Sequence, residues 1–132
     1  MATVGSGKYT YEYVPNWAKM PDGQLMGTAS AVATDSQDRV YVFQRTNPPV
    51  LVFDREGNFL NSWGEGGLPD ANGMFIDADD NLYMPVKNSH VVLKYRPDGN
   101  LLMTMGEWDK PSDTGWSGNV SDPAKQAAGP FN

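Results

Sequence analysis

The chain has 132 residues, and sixteen acidic against ten basic side chains give it a net charge of −6. This length suits one soluble domain. The acidic charge makes nucleic acid an unexpected partner, because phosphate binding needs a dense cationic patch and the sequence has none. The absence of cysteine excludes disulfides and thiolate metal sites, so a cytoplasmic and a periplasmic location both stay open. The apolar runs are strand-sized, and we expect neither a membrane segment nor a signal peptide.

The first predicted element is a strand at residues 8–14, KYTYEYV, in which aromatic and polar residues alternate. A period of two along the chain is typical of a half-buried β-strand. We interpret this segment as an additional strand that closes a sheet formed elsewhere.

Two longer units follow, at residues 26–64 and 67–106. Each unit contains four short apolar runs separated by Gly, Pro, Asn and Asp. The runs are ASAVAT, RVYVFQ, VLVFD and FLNSW in the first unit, and NGMFID, LYMPV, HVVLKY and LLMTM in the second. None has the length or spacing of an amphipathic helix, so each unit is predicted to be a four-stranded antiparallel sheet. Residues 107–132 are interpreted as a loop and the lead-in to a third unit.

The two units repeat one pattern, displaced by 42 residues without a gap. The matched pairs are Asp35 with Asp77, Asp38 with Asp80, Val40 with Leu82, Tyr41 with Tyr83, Phe53 with Tyr95, Gly57 with Gly99, Asn58 with Asn100 and Gly64 with Gly106. A repeat of this length with four strands is typical of a β-propeller blade, whose sheet buries its faces against neighbouring blades. The predicted fold is therefore all-β: two blades and a closing strand.

Two blades do not complete a propeller, because such rings contain roughly four to eight blades. The sequence therefore predicts that further blades come from another polypeptide or from self-assembly. Three copies with two blades each would give a six-bladed homotrimer. Isolated, the two units would expose apolar sheet faces that invite association.

Three stretches carry a resemblance to a known family: VYVFQRTNPPVLVFDREGNFLNSWGEG at 40–66, GNLLMTMGEWDKPSDTG at 99–115 and AAGPFN at 127–132. They resemble the NHL-repeat six-bladed propellers, specifically the bacterial proteins similar to peptidyl-α-hydroxyglycine α-amidating lyase. The resemblance covers nearly the whole chain and the first third of such a propeller. It implies a small-ligand site at the channel mouth, histidine-bound zinc, and an arginine that holds the carboxylate of the substrate.

The resemblance transfers to this chain only in part. Arg45 lies in the F-x-R setting of the family's arginine and is a candidate for substrate binding. The first metal histidine would fall at Asn72, and zinc prefers imidazole, thiolate or carboxylate ligands over a neutral amide. Calcium, which accepts amide oxygens, would tolerate Asn72. Zinc or calcium is thus a cofactor expectation of the resemblance, and lyase activity stays uncertain.

Strand parity provides an independent prediction of the functional face. In a four-stranded meander, the loops leaving the second and fourth strands emerge at one end of the sheet. Arg45 and Asn88 follow second strands, and Asn72 leads into a first strand. We therefore expect these three candidate substrate-binding residues at the same end, together with the loop at 107–128. Long loops at this end are where binding groups are usually carried.

Several candidates also have a structural interpretation. Arg45 could form a structural ion pair with Asp70, and His90, the single histidine, favours a hydrogen-bonding role in a loop over a ligand role. Residues 77–81, DADDN, favour a turn over a calcium loop, since Leu82 replaces the expected glycine. The methionines are interpreted as packing residues. Trp108 and Trp116 either cover an apolar face or line a pocket.

Two functional hypotheses follow from the sequence. The first is a lyase-like propeller that holds a small carboxylate-bearing ligand with Arg45. The second is a non-catalytic ligand-binding or protein-interaction propeller that has lost the metal site. No nucleophile paired with a base and no phosphate-binding glycine loop can be identified, so the enzymatic hypothesis rests on the resemblance alone.

Overall fold

The computed structural model describes residues 2–66, 68, 70 and 72–111. Within them the chain is all-β, apart from one 3-10 turn at Lys87–Ser89, and its strands form three antiparallel sheets. No helix in this part of the chain is long and apolar enough to span a membrane. Trp116 and the predicted lead-in to a third unit lie outside the described residues.

The N-terminal sheet is a hairpin of β1 (Thr3–Ser6) and β2 (Tyr9–Glu12). A strand thus lies inside the predicted segment 8–14, but its hydrogen-bonded partner is β1, which the sequence pattern did not indicate. Gly7, at φ +56°, occupies the tight turn that joins the two strands, and the Thr10 hydroxyl donates to its carbonyl oxygen over 2.8 Å. Both strands are exposed.

The first unit forms one sheet and the second unit forms another, each with its strands in chain order. The first sheet consists of β3 (Ala29–Thr34), β4 (Val40–Gln44), β5 (Val50–Phe53) and β6 (Phe59–Trp63). The second consists of β7 (Phe75–Ile76), β8 (Leu82–Val86), β9 (Val91–Tyr95) and β10 (Leu101–Met105). The prediction of two four-stranded antiparallel sheets is confirmed, although β7 is shorter than the predicted run NGMFID.

An aspartate begins the first hairpin turn of each four-stranded sheet. The Asp35 carboxylate accepts hydrogen bonds from the backbone N–H groups of Gln37 and Arg39, both at 2.9 Å. Asp77 accepts in the same way from Asp79 at 3.0 Å and Asn81 at 2.8 Å. These are Asx turns, in which a side chain replaces a backbone acceptor. The turn interpretation of residues 77–81 is therefore confirmed.

The main core lies between the two four-stranded sheets. Tyr41 and Phe43 of β4 are fully buried and belong to one cluster with Leu82 and Met84 of β8 and Leu93 of β9. Burying a side chain of this size contributes roughly 1.5–3 kcal/mol relative to exposure. The core therefore holds the sheets face to face, as stacked repeat units require.

The opposite face of the first sheet is covered by residues 17–26, which we call the cap segment. Val42, Leu51 and Phe53 are buried there against Trp17 and neighbouring apolar residues of this segment. The Trp17 and Phe53 ring centroids are 5.8 Å apart, and the indole N–H of Trp17 donates to the carbonyl of Arg55 over 3.2 Å. The central strands of the first sheet are thus covered on both faces, while Val32 on the same back face of β3 is 65% exposed.

Candidate functional site

The candidate site begins at the loop that leaves β4. Gln44, the last residue of β4, is 2% exposed and organises this loop through its side-chain amide. Its Nε2 donates to the Pro48 carbonyl and its Oε1 accepts from the Gly27 backbone N–H, both over 2.7 Å. The Arg45 backbone N–H donates to the carbonyl of Thr28 over 3.0 Å. The backbone on either side of Arg45 is therefore fixed by hydrogen bonds.

This loop lines a cavity of about 310 Å³ that both sequence units help to form. The described lining residues are Arg45, Thr46, Asn47, Gly66, Leu68 and Asp70. The first three follow β4, and the last three lie between β6 and β7. The loops that leave the second and fourth strands of the first sheet therefore meet at one end, as strand parity requires.

Asp70 lines this cavity, although the sequence suggested it only as an ion-pair partner of Arg45. Its backbone lies in the left-handed region at φ +57°, and its carboxylate accepts a hydrogen bond from Asn88 Nδ2 over 2.7 Å. Asn88 lies in the 3-10 turn that follows β8. Strand parity already places Asp70 at this end of the sheet, because it precedes a first strand just as Asn72 does.

The three predicted binding residues are therefore placed differently. Arg45 lines the cavity directly, and Asn88 is joined to it through Asp70. Asn72 is exposed two residues after Asp70 and is not among the described lining residues. The geometry thus brings together Arg45, Asp70 and Asn88, with Asp70 in the place that the sequence analysis assigned to Asn72.

The electrostatics of the cavity are mixed rather than uniform. The guanidinium of Arg45 and the carboxylate of Asp70 supply opposite charges, while Thr46 and Asn47 supply neutral donors and acceptors. Leu68, which is 6% exposed, supplies an apolar wall. Such a set can bind a small molecule that carries an anionic group and a hydrogen-bond donor.

A second cavity, of about 260 Å³, lies beside the first and shares Asn47 with it. Its lining includes Gln44, Ser62 and Glu65, together with Leu25 of the cap segment. The loop 45–48 therefore separates two concave surfaces.

The described residues do not match the ligand set that zinc prefers. No group of three His, Cys, Asp or Glu side chains within this part of the chain is arranged to hold a metal ion. Asn72 stands where the resemblance requires a histidine. His90 ends the 3-10 turn at φ +56°, half-buried, with its backbone N–H directed at the Lys87 carbonyl. We therefore derive no catalytic step through a metal ion.

Trp108 lies just after β10 and is 46% exposed. Because Trp116 lies outside the described residues, whether this pair covers a face or lines a pocket stays a prediction.

Neither the scan against protein-family models nor the search of curated proteins found a match for this chain. Function is therefore inferred from the geometry of the cavity.

Proposed function

We propose that the chain forms two adjoining blades of an NHL-type β-propeller and that the cavity beside Arg45 binds a small carboxylate-bearing ligand. Two four-stranded antiparallel meanders, packed face to face in repeat order, support the propeller part. The observation that carries the ligand part is that Arg45 and Asp70, from different loops, line one cavity. This cavity corresponds to a channel-mouth site in the proposed ring.

The residue types determine the ligand chemistry that the cavity favours. A planar guanidinium recognises a carboxylate through two parallel hydrogen bonds, so Arg45 would hold the anionic group. Asp70 would accept a hydrogen bond from an amide, amine or hydroxyl group of the same ligand. Leu68 offers contact for a short apolar portion. A volume of about 310 Å³ is at the small end of ligand sites, which favours a metabolite-sized molecule.

Isothermal titration calorimetry with two matched probes tests this proposal. N-acetylglycine carries a carboxylate and an amide N–H, whereas N-acetylglycinamide has the same shape without the charge. We expect the acid to bind more tightly than the amide. Arg45→Ala should weaken binding of the acid at least about tenfold, the equivalent of roughly 1.4 kcal/mol.

Arg55→Ala provides the control for this substitution. Arg55 lies in the turn between β5 and β6, at the other end of the sheet, and its side chain is 76% exposed. Its removal changes the net charge by the same amount but should leave binding unchanged. Equal binding of the two probes, or equal losses in the two arginine variants, would contradict the proposal.

A lyase-like activity is the second candidate, favoured by the presence in the cavity of the arginine that the resemblance implies. Such an activity would require a metal that this part of the chain does not hold by itself. Metal analysis of the purified protein separates the candidates. Stoichiometric zinc or calcium would support the lyase, and metal-free protein that binds N-acetylglycine would support the non-catalytic module.

A further inference from the structure

The second cavity lies between the first sheet and the cap segment. On the sheet side, Ser62 is paired directly opposite Leu51, which belongs to the cluster that the cap segment buries. The cap segment supplies the facing wall through Met20, Gln24 and Leu25. The cavity is therefore a gap that the cap segment leaves over the back face, at the end of the sheet where the loop after β4 begins.

Hydrogen bonds on either side fix the wall that the cap segment forms. Before it, the Lys19 backbone N–H donates to the carbonyl of Gly57 over 2.9 Å. After it, the Gly27 backbone N–H donates to Gln44 Oε1 over 2.7 Å. A side chain at Gly27 would collide with Thr46, so glycine is needed for the chain to approach the loop after β4 this closely. The wall is therefore already formed without a ligand, as is usual for small-molecule sites.

A turn between two glycines carries Glu65 to the edge of this cavity. Gly64 and Gly66 have φ values of +91° and +73°, in the left-handed region that favours glycine. A side chain at Gly64 would lie 2.9 Å from Leu68 Cδ1 and 3.0 Å from Pro49 Cγ, so the turn packs closely against the loop after β4. The backbone of Glu65 is thus held by packing on both sides of the turn.

The charge of the second cavity comes from Glu65. Among the described lining residues it is the one charged side chain. The ion pairs within the described part of the chain engage the carboxylates of Asp35, Asp38, Asp77 and Glu107, and none of these pairs includes Glu65. The net charge of −6 adds a long-range field that attracts cations. The second cavity therefore favours a positively charged ligand.

Apolar side chains form much of the remaining lining. Leu51 is 0% exposed, Met20 is half-buried and Leu25 is 90% exposed. A ligand in the cavity would remove part of the Leu25 side chain from water, and each Å² of apolar surface removed contributes about 25 cal/mol. The cavity thus offers contact for a short alkyl chain as well as for a cation.

The polar lining fits an ammonium group better than a metal ion. An ammonium group has three N–H donors, and Glu65, Ser62 and Asn47 each present an oxygen that can accept. A hydrogen bond from an ammonium to a carboxylate is charge-assisted and stronger than a neutral one. In the part of the chain that the structure describes, no three His, Cys, Asp or Glu side chains are grouped to hold a metal ion.

We infer that the second cavity binds a small primary amine in its ammonium form. Glu65 holds the charged head, and Leu51 and Leu25 contact a short alkyl stem. The volume of about 260 Å³ lies just below the usual range of ligand sites, roughly 300–1,000 Å³, which restricts the ligand to a few non-hydrogen atoms. This site is distinct from the proposed carboxylate site, because it has the opposite charge and lies on the other side of the loop 45–48.

Titration of the full chain with n-butylamine and 1-butanol, followed by ¹H–¹⁵N NMR at pH 7, tests the inference. An alkylamine is protonated at this pH. The two probes have the same number of non-hydrogen atoms and differ in charge. We expect saturable shifts of the Ser62 and Glu65 backbone amides with the amine. The alcohol should bind at least about tenfold more weakly, which corresponds to roughly 1.4 kcal/mol.

Glu65→Gln removes the charge and keeps the shape of the side chain. We expect it to weaken binding of the amine at least about tenfold and to leave binding of the alcohol unchanged. Glu56→Gln is the matched control: Glu56 is exposed in the turn between β5 and β6, at the other end of the sheet. It changes the net charge by the same amount and should leave both probes unaffected.

Leu25→Ala tests the apolar contact separately. We expect about threefold weaker binding of n-butylamine, because part of the contact with the alkyl stem is lost. Leu102→Ala, at a side chain that is 43% exposed in β10 of the second sheet, should have no effect on binding.

Three outcomes would overturn the inference. The first is equal affinity for n-butylamine and 1-butanol, and the second is equal affinity of Glu65→Gln and Glu56→Gln for the amine. The third is a set of shifts that grow without saturation at exposed carboxylates throughout the chain, which indicates non-specific ion pairing. Neither probe carries a carboxylate, so these results do not depend on whether the Arg45 cavity binds its proposed ligand.

Discussion

The two four-stranded sheets share one residue pattern but differ in how many of their faces are covered. The first sheet lies between the cap segment and the second sheet, whereas the second is covered on one face within the described chain. Tyr41 is 0% exposed, while its equivalent Tyr83 is only partly buried. The strand β10 is exposed along its whole length. Burial in this repeat is therefore decided by the neighbour of a sheet and not by the sheet's own residues.

This difference has an energetic consequence. Apolar area removed from water contributes about 25 cal/mol per Å², so the sheet with two covered faces gains more than its repeat equivalent. In repeat proteins, contacts between neighbouring units supply much of the stability. We therefore expect equivalent substitutions in the two sheets to have unequal effects.

The largest contrast is expected between Tyr41→Ala and Tyr83→Ala. Truncating the fully buried Tyr41 leaves a cavity in the core, and we expect a loss of about 3–5 kcal/mol in the free energy of unfolding. Truncating the partly buried Tyr83 should cost less, about 1 kcal/mol. Urea unfolding followed by circular dichroism measures both values. Equal losses would show that the two sheets are covered to the same extent in solution.

The next contrast concerns the tryptophan of the cap segment. Trp17→Ala removes a ring that covers Phe53 and leaves the back of the first sheet exposed, so we expect a loss of about 2 kcal/mol. Binding of a hydrophobic dye should rise as well. Trp108→Ala, at a side chain 46% exposed, is the control and should change stability by less than about 0.5 kcal/mol. If Trp17→Ala left both stability and dye binding unchanged, the cap segment would not cover the first sheet in solution.

Titration at high pH gives a third test. Burial raises the pKa of Tyr41 from 10.0 to about 12; Arg39 opposes the rise, and the Asp35 carboxylate, which accepts from the hydroxyl over 3.1 Å, adds to it. The folded state therefore holds the proton more tightly than the unfolded state. Its stabilising effect is complete below pH 10 and is lost as the pH rises towards 12. Tyr41→Phe should reduce this loss, measured by thermal unfolding between these pH values, with a remainder from Tyr95, whose pKa burial also raises.

A fourth test applies the same reasoning at low pH. Despite the opposing effect of desolvation, hydrogen bonds from Asn81 and Asp79 and the charge of Lys94 lower the pKa of Asp77 to about 2. The stabilising effect of Asp77 is complete above its ordinary pKa of 3.8 and is lost as the pH falls to about 2. Asp77→Asn should flatten the acid limb of the stability curve. An unchanged acid limb would show that the turn contributes equally in folded and unfolded chains.

The smallest effect is expected at the turn contact between the sheets. Ser36→Ala places in the first unit the same residue that the second unit has at the equivalent position, Ala78. The substitution removes the hydrogen bond from the Ser36 hydroxyl to Asp80 but keeps the one from the backbone N–H. Because the contact is exposed, we expect a loss of about 0.5 kcal/mol. Differential scanning calorimetry should detect a small fall in Tm. A loss above about 2 kcal/mol would mean that the hydrogen bond from the Ser36 hydroxyl to Asp80 stabilises the packing of the two sheets more than an exposed hydrogen bond normally does.

The sequence pattern predicted the eight strands of the repeat because their signal is local. The apolar run 50–53, for example, is followed by a turn that contains Gly57, and Gly99 occupies the equivalent turn 42 residues later. The cap segment was missed because it has no regular period: Trp17 and Met26 are placed by the surface that they cover. The strand β1 was missed for a related reason, since its residues carry little apolar alternation.

The candidate site was likewise predicted from the sequence only in part. Arg45 was proposed from the F-x-R resemblance and from its position after a second strand, and it lines the cavity. Asp70 was placed at the same end of the sheet by parity but was considered only as an ion-pair partner, because sequence does not show which of two nearby polar residues lines a cavity. The structure distinguishes Asp70 from Asn72 through the Asn88 hydrogen bond and the lining of the cavity.

By itself, the sequence determined the strands, their turns and the duplication, since these depend on the period of apolar residues and on Asp and Gly at the bends. Only the tertiary structure decided which faces are covered. Tyr41 and Tyr83 occupy equivalent positions of the repeat, yet the first is fully buried and the second only partly buried. The physical reason is that burial removes water through contact with a second surface, and that surface lies far away in the chain or on another unit.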